Sequence, residues 1–441
     1  MMVYTNFKLM PVPMKSTAKL SPLNGLLSGF LILVFFLTVL WGFSSHIFPG
    51  QQQAPRQRLI DLNLLSYTLA NQHDQFYSFI GVRTLSMVHI AVHDALQGID
   101  AQYESYAYAV KPQDADATTA MISAGRYILE KAYPKRIDTI RAVTNAWLSE
   151  IPAGAEKEAG ISLGMASAQA IWEKRVGDGH EKQGDYTPMT KPGDYQYTPG
   201  FDEWVLYPDF DYARPFTMDS VTQFRVTPPP QMNSQAYLQA VEEVARMGSK
   251  QGHGRTADQT HIAHWWAEFG EHSWNRLARQ LAPEHGLSLH ETARLFALLN
   301  VNLYDLYLAS LESKYHYDTW RPYTAIRQGF PGFPAQPGWE PEMLTPPWPE
   351  YPSAHAAVGA GGAEILTEVL GTAAVSFRML SISTLPGQAY RSYTHLDSAA
   401  LDCAASRIYN GFHFRFATDK GLEQGRTLAR HVLDTHFRSR E

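Results

Sequence analysis

From about residue 57 to the C-terminus, apolar residues recur at i, i+3 and i+4. That spacing lines one face of a helix and does not suit a half-buried strand. It predicts helices over Leu59–Asn71, Ile80–Leu96, Ala117–Ala132, Ile137–Trp147 and Ile161–Arg175. It resumes over Gln235–Arg246, Thr256–Phe269 and Trp274–Leu281, then in a long helix from Leu289. Ser288 and Glu291 make a capping box for that last helix. Strand-like alternation is scarce, and no internal repeat of solenoid length is present. The expected fold is all-α.

Residues 181–232 interrupt the pattern with Gly184, Pro188, Pro199, Pro208, Pro215 and a Pro228–Pro230 run. Trp204, Tyr207, Phe210, Tyr212 and Phe216 make this excursion an ordered aromatic cover rather than a solvated linker. At the other end, Leu26–Phe43 is apolar apart from Ser28 and Thr38, and lysines but no acids precede it. Its length lies between a signal-peptide core and a minimal membrane span. The Ser44–Phe48 stretch is a poor cleavage site, so an uncleaved anchor is favoured over a cleaved signal. The cationic side would stay in the cytoplasm and the body would be exported, to the periplasmic or extracellular side. The expected organisation is therefore a tail at 1–25, an anchor or signal segment at 26–48, an N-terminal helical bundle at 57–232 and a C-terminal catalytic bundle at 233–441.

A 441-residue chain with 45% hydrophobic and 18% charged residues is globular. Its net charge of -6, without a basic stripe, argues against a general nucleic-acid binder. Any anion site must be local. The single cysteine, Cys403, rules out an internal disulfide and reads as a buried small residue.

Such a local site is written in three blocks. Pro352-Ser353-Ala354-His355 opens a helix of small residues running to Ala363. A helix start offers unpaired N–H groups and the positive end of the macrodipole, so it suits an anion. Ser353 can cap it, and His355 projects from its first turn. Lys314 and Arg321 are seven apart, which on a continuing helix puts both cations on one face. Lys314 could instead pair with Asp318 on a solvated face, but Tyr315, Tyr317, Trp320 and Tyr323 are too aromatic for one. Arg407 and His413 are six apart and converge only if Asn410-Gly411 turns the chain. Three cations, a hydroxyl, a helix start and two histidines fit one phosphate-like oxyanion. His89 and His93 have zinc-like i, i+4 spacing, but no third ligand is marked, and packing is the favoured reading.

Lys314-x6-Arg321-Pro322, Pro352-Ser353-Ala354-His355 and Ser406-Arg407-x5-His413, in that order, resemble the signature of the type-2 phosphatidic-acid phosphatase and vanadium haloperoxidase superfamily. The stretches around Glu291, Tyr317 and Arg407 are similar to its soluble chloroperoxidase branch. The resemblance implies two packed four-helix bundles, the second carrying the site at its end. It implies that Lys314, Arg321 and Arg407 hold the oxygens of vanadate or phosphate, helped by Ser353 and the backbone N–H of Ala354. His355 is then the acid–base residue, and His413 the vanadium ligand or the phosphorus nucleophile. Ala354 stands where the family has glycine. Trp348, five residues before Ser353, is at the halide-pocket position, and is equally readable as a core aromatic. Glu268 resembles an acid in the family that pairs with an arginine or the acid–base histidine, although a surface carboxylate is the favoured reading. The implied activity is a vanadate-dependent haloperoxidase taking hydrogen peroxide and halide. The alternatives are an exported acid phosphatase acting on phosphate monoesters, or an anion binder without turnover. The membrane would be a partner through the N-terminal segment only.

Overall fold

The helical periodicity is realised almost element for element. The computed structural model describes residues 55–74, 79–182, 184–201, 203–208 and 212–440. These lie in one unit, Ala54–Glu441. The segment expected as an anchor or signal, 26–48, lies outside the described residues. No helix among the described residues is long and apolar enough to cross a membrane.

Four helices, α1 (Pro55–Asp74), α2 (Ile80–Gln97), α3 (Ala117–Ala132) and α5 (Ala155–Lys174), pack as the first bundle, with α4 (Ile137–Ser149) laid on α3. Nearly all of α2 is buried. Its two histidines are paired inside the core. His89 Nε2 lies 2.8 Å from Asn63 Nδ2, and His93 Nδ1 lies 3.1 Å from an Asp94 oxygen. No group of three or more His, Cys, Asp or Glu among the described residues could hold a metal. The burial and these two contacts fit the packing reading of the pair.

The second half contains α6 (Gln235–Met247), α7 (Ala257–Trp265), α8 (Gly270–Glu284), α9 (Leu289–Tyr317), α10 (Pro322–Gln328), α11 (Ala354–Leu370), α12 (Leu396–Tyr409) and α13 (Arg415–Thr435). Helices α9, α11, α12 and α13 form the second bundle, and α9 also packs on α2. One apolar core runs through both bundles. Both hydrogen bonds of the Ser288–Glu291 capping box are made. A short antiparallel hairpin, β1 (Phe377–Leu380) and β2 (Tyr390–Tyr393), pairs Phe377 with Tyr393. Four residues per strand are too few for alternation to stand out in the sequence.

Two helix boundaries differ from expectation, and both shape the site. The predicted Thr256–Phe269 helix stops at Trp265, and α8 starts at Gly270. A Cβ at 270 would run into Val358 of α11, so glycine permits the close approach. The second difference is the end of α9, described below.

The 181–232 excursion is irregular and crosses the second bundle. Tyr195 N donates to Asp318 O at 2.7 Å, Leu206 N to Pro347 O at 2.9 Å, and Tyr317 Oη to Val226 O at 2.6 Å. The buried carboxylate of Asp305, on α9, is its main pin. It accepts from Phe216 N at 2.7 Å, Thr217 N at 2.6 Å and Thr217 Oγ1 at 2.5 Å. Asp305→Ala orphans these donors in the interior. The expected cost is about 3 kcal/mol, read by urea denaturation. A loss under about 1 kcal/mol would show that the strap is held elsewhere.

Candidate active site

Helix α9 ends at Tyr317 because Asp318 turns left-handed, with φ 45° and ψ 41°. Its last turn delivers Lys314, fully buried, whose Nζ donates to Pro349 O at 3.0 Å and Glu350 O at 2.9 Å. Lys314 therefore does not pair with Asp318, which takes the phenol of Tyr186 instead. The chain turns sharply, and Arg321 becomes the N-cap residue of α10 with Pro322 in its first turn. The expectation that Lys314 and Arg321 share a helix face is thus corrected. Pro322 starts a helix rather than ending one, and a turn brings the two cations into one site.

Arg321 is fully buried. Its Nε donates to Trp348 O at 2.7 Å, and its Nη1 to Phe412 O at 2.9 Å and to His413 Nε2 at 3.1 Å. Its Nη2 is buried without a partner among the described residues.

Ser353 caps α11 as the sequence suggested, accepting from Ala356 N at 3.4 Å. The first N–H groups of α11, at Ala354 and His355, have no partner within the helix. His355 Nε2 lies 2.8 Å from Trp266 O. A carbonyl only accepts, so Nε2 carries the hydrogen and Nδ1 keeps its lone pair. Arg407 Nη2 donates to the same carbonyl at 3.3 Å, and its Nε to Ser406 Oγ at 3.1 Å. That carbonyl is free because α7 stops at Trp265 and no later helical turn claims it.

Gly411, with φ 79°, ends α12 as expected. Phe412 N donates to Arg407 O at 2.9 Å and Gly411 N to Ile408 O at 3.0 Å, the paired bonds of a Schellman stop. The turn sets His413 beside Arg321. A guanidinium only donates, so His413 Nε2 is the acceptor and Nδ1 bears the hydrogen. Nδ1 lies 3.0 Å from Glu350 Oε1. Burial first, then Arg321, Lys314 and Arg407, hold the imidazole well below the ordinary histidine range. His413 is thus a neutral base with its Nε2 lone pair toward the cations. Burial and Arg407 likewise keep His355 neutral.

The electrostatics show what this cluster is built for. Burial lowers Arg321 and Arg407 to about 10. It holds Lys314 well below its ordinary value, and Arg321 adds to the push. Buried like charges are stable only when a counter-anion is provided. Glu350 supplies part of it. A buried guanidinium nitrogen without a partner, a helix start and a donor-rich wall fit an oxyanion. The Nε2 lone pair fits its electrophilic centre.

Sequence reasoning missed two members. One is the Trp266 carbonyl, hidden inside a predicted helix. The other is Glu350, fully buried between Pro349 and Tyr351. The available signal was a lone acid three residues before the Ser353 cap, within a proline-rich apolar run. Burial raises its carboxyl to about 7, against the pull of Lys314 and Arg321.

The two outlying candidates fall at the edge. Trp348 lends its carbonyl to Arg321, while its ring packs partly buried on the main core. Glu268 is buried, which corrects the reading of a surface carboxylate. It does pair with an arginine, but one outside the cluster. Arg276 Nη1 donates to it at 2.8 Å, Ser273 Oγ at 2.5 Å and Ile382 N at 3.1 Å. It makes no bond to His355, whose Nε2 is held by Trp266.

Residues 294–441 match the family model described as the VCPO second helical-bundle domain. Over these residues the chain is similar to the second helical bundle of vanadium chloroperoxidases. The superfamily resemblance read from the three motifs is thereby borne out. The matched range contains every residue of the cluster except Trp266. A vanadium chloroperoxidase from Curvularia inaequalis is 25% identical over 362 residues, which is 64% of this chain. The chain spans 59% of the length of that relative. A solved bacterial vanadium-dependent iodoperoxidase aligns with a TM-score of 0.75 and 24% identity, covering 88% of this chain and 98% of its own. A holo-type bacterial vanadium-dependent chloroperoxidase aligns with a TM-score of 0.65 and 15% identity, covering 81% and 91%. Such likenesses carry the fold, and the two-bundle expectation holds.

Proposed function

We propose that the protein is a vanadate-dependent haloperoxidase, oxidising halide with hydrogen peroxide. The observation that carries this is the His413 Nε2 lone pair set against a buried cation cluster. Lys314, Arg321 and Arg407 would hold the oxygens of vanadate, with Ser353 and the first N–H groups of α11. Bound vanadate would supply the activation of peroxide toward halide without a change of metal oxidation state. The chain supplies the rest. The cations neutralise the anion, and the neutral His355 can take a proton at Nδ1 and return it. Relatives named for chloride and for iodide oxidation support the class of reaction and leave the halide open.

The same donors fit phosphate, and a neutral Nε2 is equally a nucleophile for phosphorus. One pair of assays on the purified protein separates the readings. Halogenation of a phenol reporter should require both added vanadate and peroxide. Hydrolysis of p-nitrophenyl phosphate, inhibited by vanadate and unaccompanied by halogenation, would overturn the proposal in favour of the phosphatase. Anion binding with neither activity would leave a binder.

A further inference from the structure

Glu350 meets His413 at Nδ1, the ring nitrogen turned away from Arg321, and the proposed reaction gives it no step. Four contacts tie its backbone and side chain to the site. Its backbone N donates to Thr319 O at 2.9 Å, and its carbonyl accepts Lys314 Nζ at 2.9 Å. Its Oε1 faces His413 Nδ1 at 3.0 Å and accepts from Phe414 N at 2.9 Å. One oxygen thereby fixes both the imidazole and the adjoining backbone, where α13 begins. Its Oε2 is buried without a partner among the described residues.

A neutral imidazole has one N–H, and two placements compete. With the hydrogen on Nδ1, that nitrogen donates to Glu350 while Nε2 accepts from Arg321. With the hydrogen on Nε2, two donors face each other at Arg321. The Nδ1 lone pair then faces a carboxylate oxygen. Both neighbours select the first form, but they are not equivalent. Arg321 stands on the anion's side and has other acceptors, whereas Glu350 contacts only the far edge of the ring.

We propose that Glu350 is a positioning residue that holds His413 as the Nδ1–H tautomer, so that the Nε2 lone pair points at the central atom of the oxyanion. The anion's identity rests on the proposed function, while the tautomer does not. Carboxylate partners of this kind orient histidine ligands, and their loss costs about 10- to 100-fold in affinity. The effect comes from an acceptor in the right place, so glutamine should replace glutamate and alanine should not.

The test uses the full chain and inorganic vanadate as the probe. Nitrogen-15 NMR of His413 in the anion-free protein reads the tautomer directly. Wild type and Glu350→Gln should both show Nδ1–H. Glu350→Ala should show a shift toward Nε2–H and bind vanadate at least about tenfold more weakly. Glu350→Met serves if the alanine variant does not fold, since it fills the space without an acceptor. Wild-type protein with Nε2–H would overturn the proposal before any variant is made. So would an alanine variant keeping both Nδ1–H and wild-type affinity. A glutamine variant with Nδ1–H and affinity as poor as alanine's would assign the effect to charge and also overturn it. A tautomer that depends on Glu350 in a protein with no vanadate affinity would support the positioning and sink the vanadate reading instead.

Discussion

His413→Ala is expected to lower turnover by at least about a thousandfold while the protein stays folded. The ring is nearly fully buried and sits at a chain turn rather than in the middle of a bundle. The Schellman bonds that end α12 are backbone bonds and survive the change. Phe414 N keeps its bond to Glu350 Oε1. What disappears is the Nε2 lone pair that His413 sets against the three cations. Lys314, Arg321 and Arg407 still attract an anion, so binding should weaken less than turnover. Circular dichroism checks the fold, and the halogenation and phosphatase assays check turnover. A variant keeping more than about a tenth of wild-type turnover would show that the anion is bonded by another group. A contrasting result is expected for His355→Ala. It removes a proton carrier rather than the bond to the anion, and general acid–base groups are typically worth about a hundredfold or more.

The residue types of this site could be read from the chain, but the way they meet could not. The caps at Ser288 and Ser353 and the stop at Gly411 depend on neighbours within a turn, so local sequence contains them. The helix at Leu289 is long and strongly periodic for the same reason. Lys314 and Arg321 were assigned to one helix face because their spacing allows it. What prevents it is nonlocal. Asp318 is bonded by Tyr186, and Thr319 pairs with Asp194, both from the distant excursion. The break after Trp265 is equally nonlocal. Across it, Gly270 lets Val358 of another helix come close, and the break frees the carbonyl that both His355 and Arg407 use. Glu350 carries no periodic signal because it sits in a loop. Its importance lies in contacts to Lys314, His413 and Phe414, each at least 36 residues away.

Gly421→Val should cost about 4 kcal/mol of stability and also disable anion binding, because two consequences share one contact. Helix α11 is built from small residues, and α13 lies close against it. A Cβ at Gly421 would fall well inside van der Waals contact with the Ser353 carbonyl, and within 3.0 Å of the Ala356 Cβ. A backbone oxygen cannot rotate away as a side-chain tip can. The two helices must therefore separate, or the first turn of α11 must shift. That turn carries Ser353, Ala354 and His355, the part of the site with least slack. Its N–H groups act on the anion only if they point at it, and misplacement by about 1 Å can cost on the order of a hundredfold. Vanadate binding should fall more than the lost stability alone explains, under conditions where the variant is still folded. Gly338→Ala is the control, since a Cβ there meets nothing within 4 Å. It should change stability by less than about 0.5 kcal/mol. Equal behaviour of the two variants in urea denaturation and vanadate titration would mean that the α11–α13 contact does not set the geometry of the site.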